Sequence, residues 1–141
     1  MRCTYEKGFT LIEIMVVFVV IGILTAIAIP NFISYRNRAY CSSVESDAQS
    51  IAMKIAAYYS VPAHTGLLPT AFDLNISSST LSNSNSATIS GNINGTVSIA
   101  VTDGRSQCPT DYQAGMTSAI SPNGFWSGDA SNAKFTKVIR P

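Results

Sequence analysis

The chain has 141 residues, room for one modest globular domain plus an extension, and this length disfavours a multidomain enzyme. Only 12% of residues are charged and the formal net charge is +1, so the composition makes no broad electrostatic case for nucleic acid. Three cysteines stand at Cys3, Cys41 and Cys108; removal of a short leader takes Cys3 and leaves an even pair, which suits an oxidising compartment.

The apolar weight is concentrated at the start. Residues 9–29 are broken only by Thr10, Glu13, Gly22 and Thr25, whereas downstream stretches such as Asn75-Ile76-Ser77-Ser78-Ser79-Thr80 are polar. As a helix the apolar block rises about 31 Å, enough to span a hydrocarbon core of roughly 30 Å. A secretory signal peptide is the main rival, and Ala26-Ile27-Ala28 imitates its cleavage site. The length of the block, Pro30 just beyond that site, and a carboxylate at Glu13 inside the apolar run all speak against it. Glu13 needs a reason, because a charge within a bilayer costs on the order of 2.5–3.5 kcal/mol even on lenient scales. A position near the helix start lets it reach the interface but gives it no task.

Lys7-Gly8-Phe9-Thr10-Leu11-Ile12-Glu13, followed by an apolar run to Pro30, resembles the prepilin signal of type IV pilins and secretion pseudopilins. The resemblance covers about the first 50 residues and is weak beyond them. It implies cleavage between Gly8 and Phe9 by a prepilin peptidase and N-methylation of the new Phe9 amine. Glycine at the cut presents no side chain to obstruct a protease, and the cut leaves the apolar block on the mature protein. Glu13 then acquires a partner: the cationic Phe9 amine of a neighbouring subunit, each neutralising the other as subunits leave lipid for a fibre core.

Gly22 and Pro30 both weaken a helix, so a kink is expected, and the resemblance implies that 22–30 loses helical structure on assembly. After Pro30, Ile33, Tyr40, Val44, Ala48, Ile51, Ile55 and Tyr59 recur at helical steps, predicting an amphipathic helix to about Ser60, ended by Val61-Pro62. Its other face, with Arg36, Arg38, Glu45, Asp47 and Lys54, is expected to be wet. Aromatics along the helix, from Phe9 to Tyr59, resemble the spacing in short pilins proposed to carry electrons, but packing explains helical aromatics and no haem-attachment motif is present.

Residues 63–85 read as a long connection. Ile89 and Ile93, then Val97, Ile99 and Val101, keep even spacing around Asn94-Gly95 and predict a hairpin with a type I′ turn. From Asp103 to Ser121 turn residues dominate, and Phe125-Trp126 and 135–139 suggest one or two more short strands. The fold class expected is α+β: a long helix, transmembrane in its first half and amphipathic in its second, packed on a small antiparallel sheet in a ladle-like pilin shape. A Cys41–Cys108 disulfide would staple the C-terminal half to the helix; two separate buried thiols are the alternative. The division is a leader at 1–8, an assembly helix at 9–30, the amphipathic helix at 31–60 and the globular sheet and loops at 61–141.

Catalysis finds little support, since His64 is the lone histidine and has no second member for a dyad or metal site. Asp73, Asp103, Asp111 and Asp129 could gather around calcium, but no EF-hand pattern is present, and no cofactor or metal is assigned. Lys134, Lys137 and Arg140 form a basic tip of ordinary density, which leaves nucleic acid undecided. The resemblance implies a non-enzymatic structural subunit, single-pass in the inner membrane before assembly and in an extracellular helical homo-oligomer afterwards. Its implied partners are the prepilin peptidase and methyltransferase and an assembly platform driven by an ATPase. A secretion pseudopilin, or a minor subunit for adhesion or DNA uptake, is the alternative.

Overall fold

The computed structural model describes residues 8–64, 66, 68–92, 94–118 and 124–140. Except for Gly8, the expected leader lies outside these residues, as do Cys3 and Ile93. The chain divides into two compact units, 1–35 and 36–141.

In the first unit the helix α1, which spans Leu11–Tyr59 in all, carries the apolar run. Phe9, Leu11, Phe18, Leu24 and Phe32 are all exposed, and none of the described residues of this unit is buried. The helix continues through Gly22 and Pro30. The Thr25 hydroxyl donates to the carbonyls of Ile21 and Gly22 at 2.9 and 3.1 Å, tying it to the preceding turn. Among the described residues this is the one helix long and apolar enough to cross a membrane.

The second unit holds the rest of α1, the strands β1 (Ser86–Gly91) and β2 (Val97–Thr102), helix α2 (Thr110–Ser118), and the strands β3 (Phe125–Ser127) and β4 (Lys134–Ile139). They form an antiparallel sheet in the order β1-β2-β4-β3. β2 alternates because one face lies on the core: Val97, Ile99 and Val101 are buried and their neighbours less so. Ala87, Val101, Phe135 and Trp126 are aligned in register across all four strands. With Val44, Ala48, Ile51 and Ile55 of α1, these side chains make the hydrophobic core. The expected α+β architecture is therefore present, with the amphipathic half of α1 packed on a small antiparallel sheet.

Three details differ from the sequence expectation. The turn is not type I′: among the described residues between β1 and β2 positive φ falls at Gly91 (118°) and not at Asn94 or Gly95. Asn92 N–H donates to Thr96 O at 3.1 Å, and Gly95 N–H donates to Asn92 O at 3.0 Å, so the strands close through Gly91. Residues 110–118, expected as turns, are helical, because Pro109 and Asp111 also serve as helix-start residues. Finally, Asp47 and Glu45 are not wet: Asp47 is buried and Glu45 half-buried, while Arg36 and Arg38 are exposed as expected.

Candidate assembly site

The site begins at the start of α1. Thr10 is the last residue before the helix, and its backbone N–H and hydroxyl both donate to Glu13 Oε2, at 2.9 and 2.7 Å. Glu13 N–H donates back to Thr10 Oγ1 at 3.3 Å. This reciprocal pair is a capping box, which satisfies donors that a helix start otherwise leaves open. Glu13 also places negative charge at the positive end of the helix dipole. The T-x-x-E spacing was visible in the sequence as a capping signature, a task for Glu13 additional to pairing with an amine. Oε1 accepts no hydrogen bond among the described residues. Gly8 and Phe9 precede the helix and are exposed.

Gly22 and Pro30 lie within α1 in the first unit, whereas Cys41 and Cys108 lie in the second, where side chains along α1 hold several distant segments. Cys41 is disulfide-bonded to Cys108, with Cα atoms 4.9 Å apart, and both residues are fully buried. The loop that brings Cys108 to the helix is organised by Asp103, whose carboxylate accepts from the backbone N–H groups of Arg105, Gln107 and Cys108 at 2.8–3.0 Å. One turn along α1, Glu45 accepts from Trp126 Nε1–H at 2.8 Å and from the Tyr112 hydroxyl at 3.4 Å. Burial, then the Glu45 carboxylate beside it, raises the Tyr112 pKa above the ordinary phenol value.

Asp47 comes next. It accepts from Ser82 N–H and hydroxyl, both at 3.0 Å, and from Asn85 Nδ2 at 2.7 Å. Asn85 is fully buried, and its carbonyl oxygen accepts from Gly104 N–H at 3.1 Å, extending the network to the loop that ends in Cys108. A Cβ on Gly104 would stand 2.1 Å from Ser84 O, so only glycine allows this approach. Two turns further, Lys54 Nζ donates to the carbonyls of Leu74 and Asn75 at 3.3 and 3.4 Å. The side of α1 that the sequence assigned to solvent thus carries the polar anchors of the globular unit.

The other sequence candidates do not converge. Asp103 is occupied inside its loop, and Asp73 and Asp129 are bound to turn residues of their own segments. The Thr70 hydroxyl and then its backbone N–H hold the Asp73 pKa below the ordinary carboxylate value; the Ser131 hydroxyl and the backbone N–H groups of Ser131 and Asn132 do the same for Asp129. Asp111 lies in the first turn of α2. Among the described residues no group of three His, Cys, Asp or Glu side chains could hold a metal ion. His64 stacks on Tyr58 with ring centroids 3.9 Å apart. Lys134 and Arg140 are exposed on and just beyond β4, and Lys137 is half-buried.

Comparison with known proteins adds what geometry does not. Residues 3–29 match the family model described as a prokaryotic N-terminal methylation motif. A fimbrial protein of Pseudomonas aeruginosa is 33% identical over 142 aligned residues, covering 94% of this chain and 88% of the relative. Type IV major pilins of Myxococcus xanthus and Neisseria gonorrhoeae are 43% and 41% identical over 55 and 56 residues, covering 39% and 40% of this chain and 25% and 34% of theirs. No solved structure matches. With similarity to a fimbrial protein along 94% of this chain and 88% of the relative, and a methylation motif that takes in the start of an unburied apolar helix, this chain belongs to the type IV pilin family.

Proposed function

We propose that this chain is a structural subunit of a type IV pilus, of the adhesion and motility class, synthesised as a precursor with residues 1–8 as its leader. A prepilin peptidase cuts between Gly8 and Phe9, and the Phe9 amine is methylated. The precursor is held in the inner membrane by residues 9–30, and an assembly platform with its ATPase draws it into an extracellular helical fibre. The observation that carries this reading is the exposed apolar run of the first unit, from Phe9 (85% exposed) to Phe32 (67%). Such a surface is stable in lipid or against identical helices, not in water.

The helix start supports a division of labour within Glu13. Oε2 serves the Thr10 cap, while Oε1 is open, among the described residues, to the Phe9 amine of a neighbouring subunit. That pairing neutralises both charges as the helix leaves lipid. Gly22 to Pro30 is the segment proposed to lose helical structure during assembly, because Pro30 lacks the N–H that the Ala26 carbonyl would otherwise accept from.

Mass spectrometry of sheared surface fibres tests the reading. The expected result is this chain as the main mass, beginning at methylated Phe9; an intact Met1 start would overturn it. Substoichiometric recovery would instead indicate a minor subunit. Glu13→Ala is expected to be processed normally yet to yield few or no fibres, and abundant normal fibres from that variant would refute the role given to its carboxylate.

A further inference from the structure

We propose that Asn75 is an acceptor site for N-linked glycosylation, taking an oligosaccharide from a polyprenyl-diphosphate donor. The inference rests on the second unit lying across the membrane from the cytoplasm; it does not require that the subunit polymerise. Asn75-Ile76-Ser77 has the N-x-S spacing in which a hydroxyl two residues on accompanies the acceptor amide. Asp73, two residues ahead, gives Oδ2 to the Thr70 N–H and hydroxyl but keeps Oδ1 without a partner among the described residues, an acceptor that a basic groove can grip through a charge-assisted hydrogen bond.

The structure presents this tripeptide to solvent. Asn75 and Ser77 are exposed, and Asn75 has a φ of 49°, a left-handed turn conformation. Its backbone is held from behind: Asn75 O accepts from Lys54 Nζ and from Thr80 Oγ1, both at 3.4 Å. Its side-chain amide makes no hydrogen bond among the described residues. Segment 71–80 has no strand pairing, so drawing Asn75 and Ser77 into a groove leaves the sheet closed and breaks bonds local to the loop, Ser77 N–H to Thr80 Oγ1 at 2.9 Å and the Ser77–Ser79 hydroxyl pair at 2.8 Å, while Leu74 and Ile76 tie the loop to the core.

Asn94-Gly95-Thr96 has the same spacing and is the internal comparison. There the Asn94 N–H donates to the Asn92 side chain at 2.9 Å, and Thr96 O receives the hairpin-closing bond from Asn92 N–H at 3.1 Å. Drawing Asn94 and Thr96 together into a groove would undo the end of the β1–β2 hairpin. Asn92, not an acid, stands two residues ahead of Asn94.

In the transfer, Asn75 Nδ2 bonds to the anomeric carbon of the donor sugar. The bond from that carbon to the diphosphate oxygen breaks, the lipid diphosphate leaves with the electron pair, and one amide proton is released. No oxidation or reduction occurs.

The test is mass spectrometry of the full chain isolated from the membranes of its native cells. Chymotrypsin cutting at Phe72 or Leu74 and at Leu81 releases residues 73–81 or 75–81, both of which exclude Asn94, and fragmentation that keeps glycans attached assigns the modified residue. The expected result is a glycan on Asn75 that is lost in Asn75→Gln and Ser77→Ala but kept in Ser79→Ala and Asn94→Gln. An unmodified Asn75 in the wild-type chain, a glycan on Asn94 in its place, or a sugar retained in Asn75→Gln and lost in Ser77→Ala would overturn the proposal, the last by placing the sugar on the serine hydroxyl.

Discussion

Replacing Cys41 and Cys108 together with alanine removes a covalent tie between residues 67 apart in the chain. On the chain-entropy model, closing a loop of that length restricts the unfolded ensemble enough to contribute about 4 kcal/mol, within the roughly 2–5 kcal/mol usual for native bridges. The unit that contains it runs from 36 to 141. Unfolding about 105 residues carries an entropy of roughly 0.22 kcal/mol/K near 60 °C, so the loss should lower Tm by about 10–20 °C. Both sulfurs are fully buried, and alanine also removes their packing. Wild-type protein reduced in denaturant and then refolded keeps the thiol volumes and separates the two effects. Thermal melts by circular dichroism, in one detergent for all samples, make the comparison. A double variant and a reduced wild type that both melt within about 3 °C of the oxidised protein would refute the claim that this bridge restrains the unfolded chain.

Asp47→Ala leaves Ser82 N–H, the Ser82 hydroxyl and Asn85 Nδ2 without their acceptor, and is expected to lose about 2–4 kcal/mol in a denaturant titration, with Asp47→Asn intermediate. Gly91→Ala puts a Cβ 2.1 Å from Thr96 O at a φ of 118° and should cost about 2 kcal/mol or more, whereas Gly115→Ala, in α2 with nothing within 4 Å, should be neutral or stabilising by up to about 1 kcal/mol. Because the Tyr112 pKa is raised on folding, the native state keeps a proton that the unfolded state releases; stability is therefore expected to fall as pH rises from about 10 to the raised value, with Tyr112→Phe flattening that loss in alkaline melts. Asp73 and Asp129 act in the opposite window: their pKa values are lowered, so their contribution is present above the ordinary carboxylate pKa and disappears as pH falls through the depressed values, a loss that Asp73→Asn and Asp129→Asn should remove from acid titrations.

Much of the second unit was legible from periodicity. Val44, Ala48, Ile51 and Ile55 line the buried face of α1 because a recurrence at three- and four-residue steps is a local property of a helix. Val97, Ile99 and Val101 were legible for the same reason in a strand. Asn94-Gly95 misled because a favourable dipeptide states only a local preference, while the β1–β2 register is set by which side chains face the core and is completed through Gly91. Asp103 looked like a calcium candidate because sequence does not reveal that three backbone N–H groups already occupy its oxygens. The Thr10–Glu13 box was legible too, because T-x-x-E ahead of an apolar run is a purely local signature.

The N-terminal segment was determined by the sequence alone: one contiguous run fixes its length, its apolarity and its single carboxylate, and no distant residue contributes to any of them. The polar face of α1 was decided only by tertiary structure. Glu45 meets Trp126 across 81 residues and Asp47 meets Ser82 across 35, so whether either carboxylate is solvated or buried depends on where the sheet and loops return. A helical period records which positions share a side; the rest of the chain determines whether that side is wet.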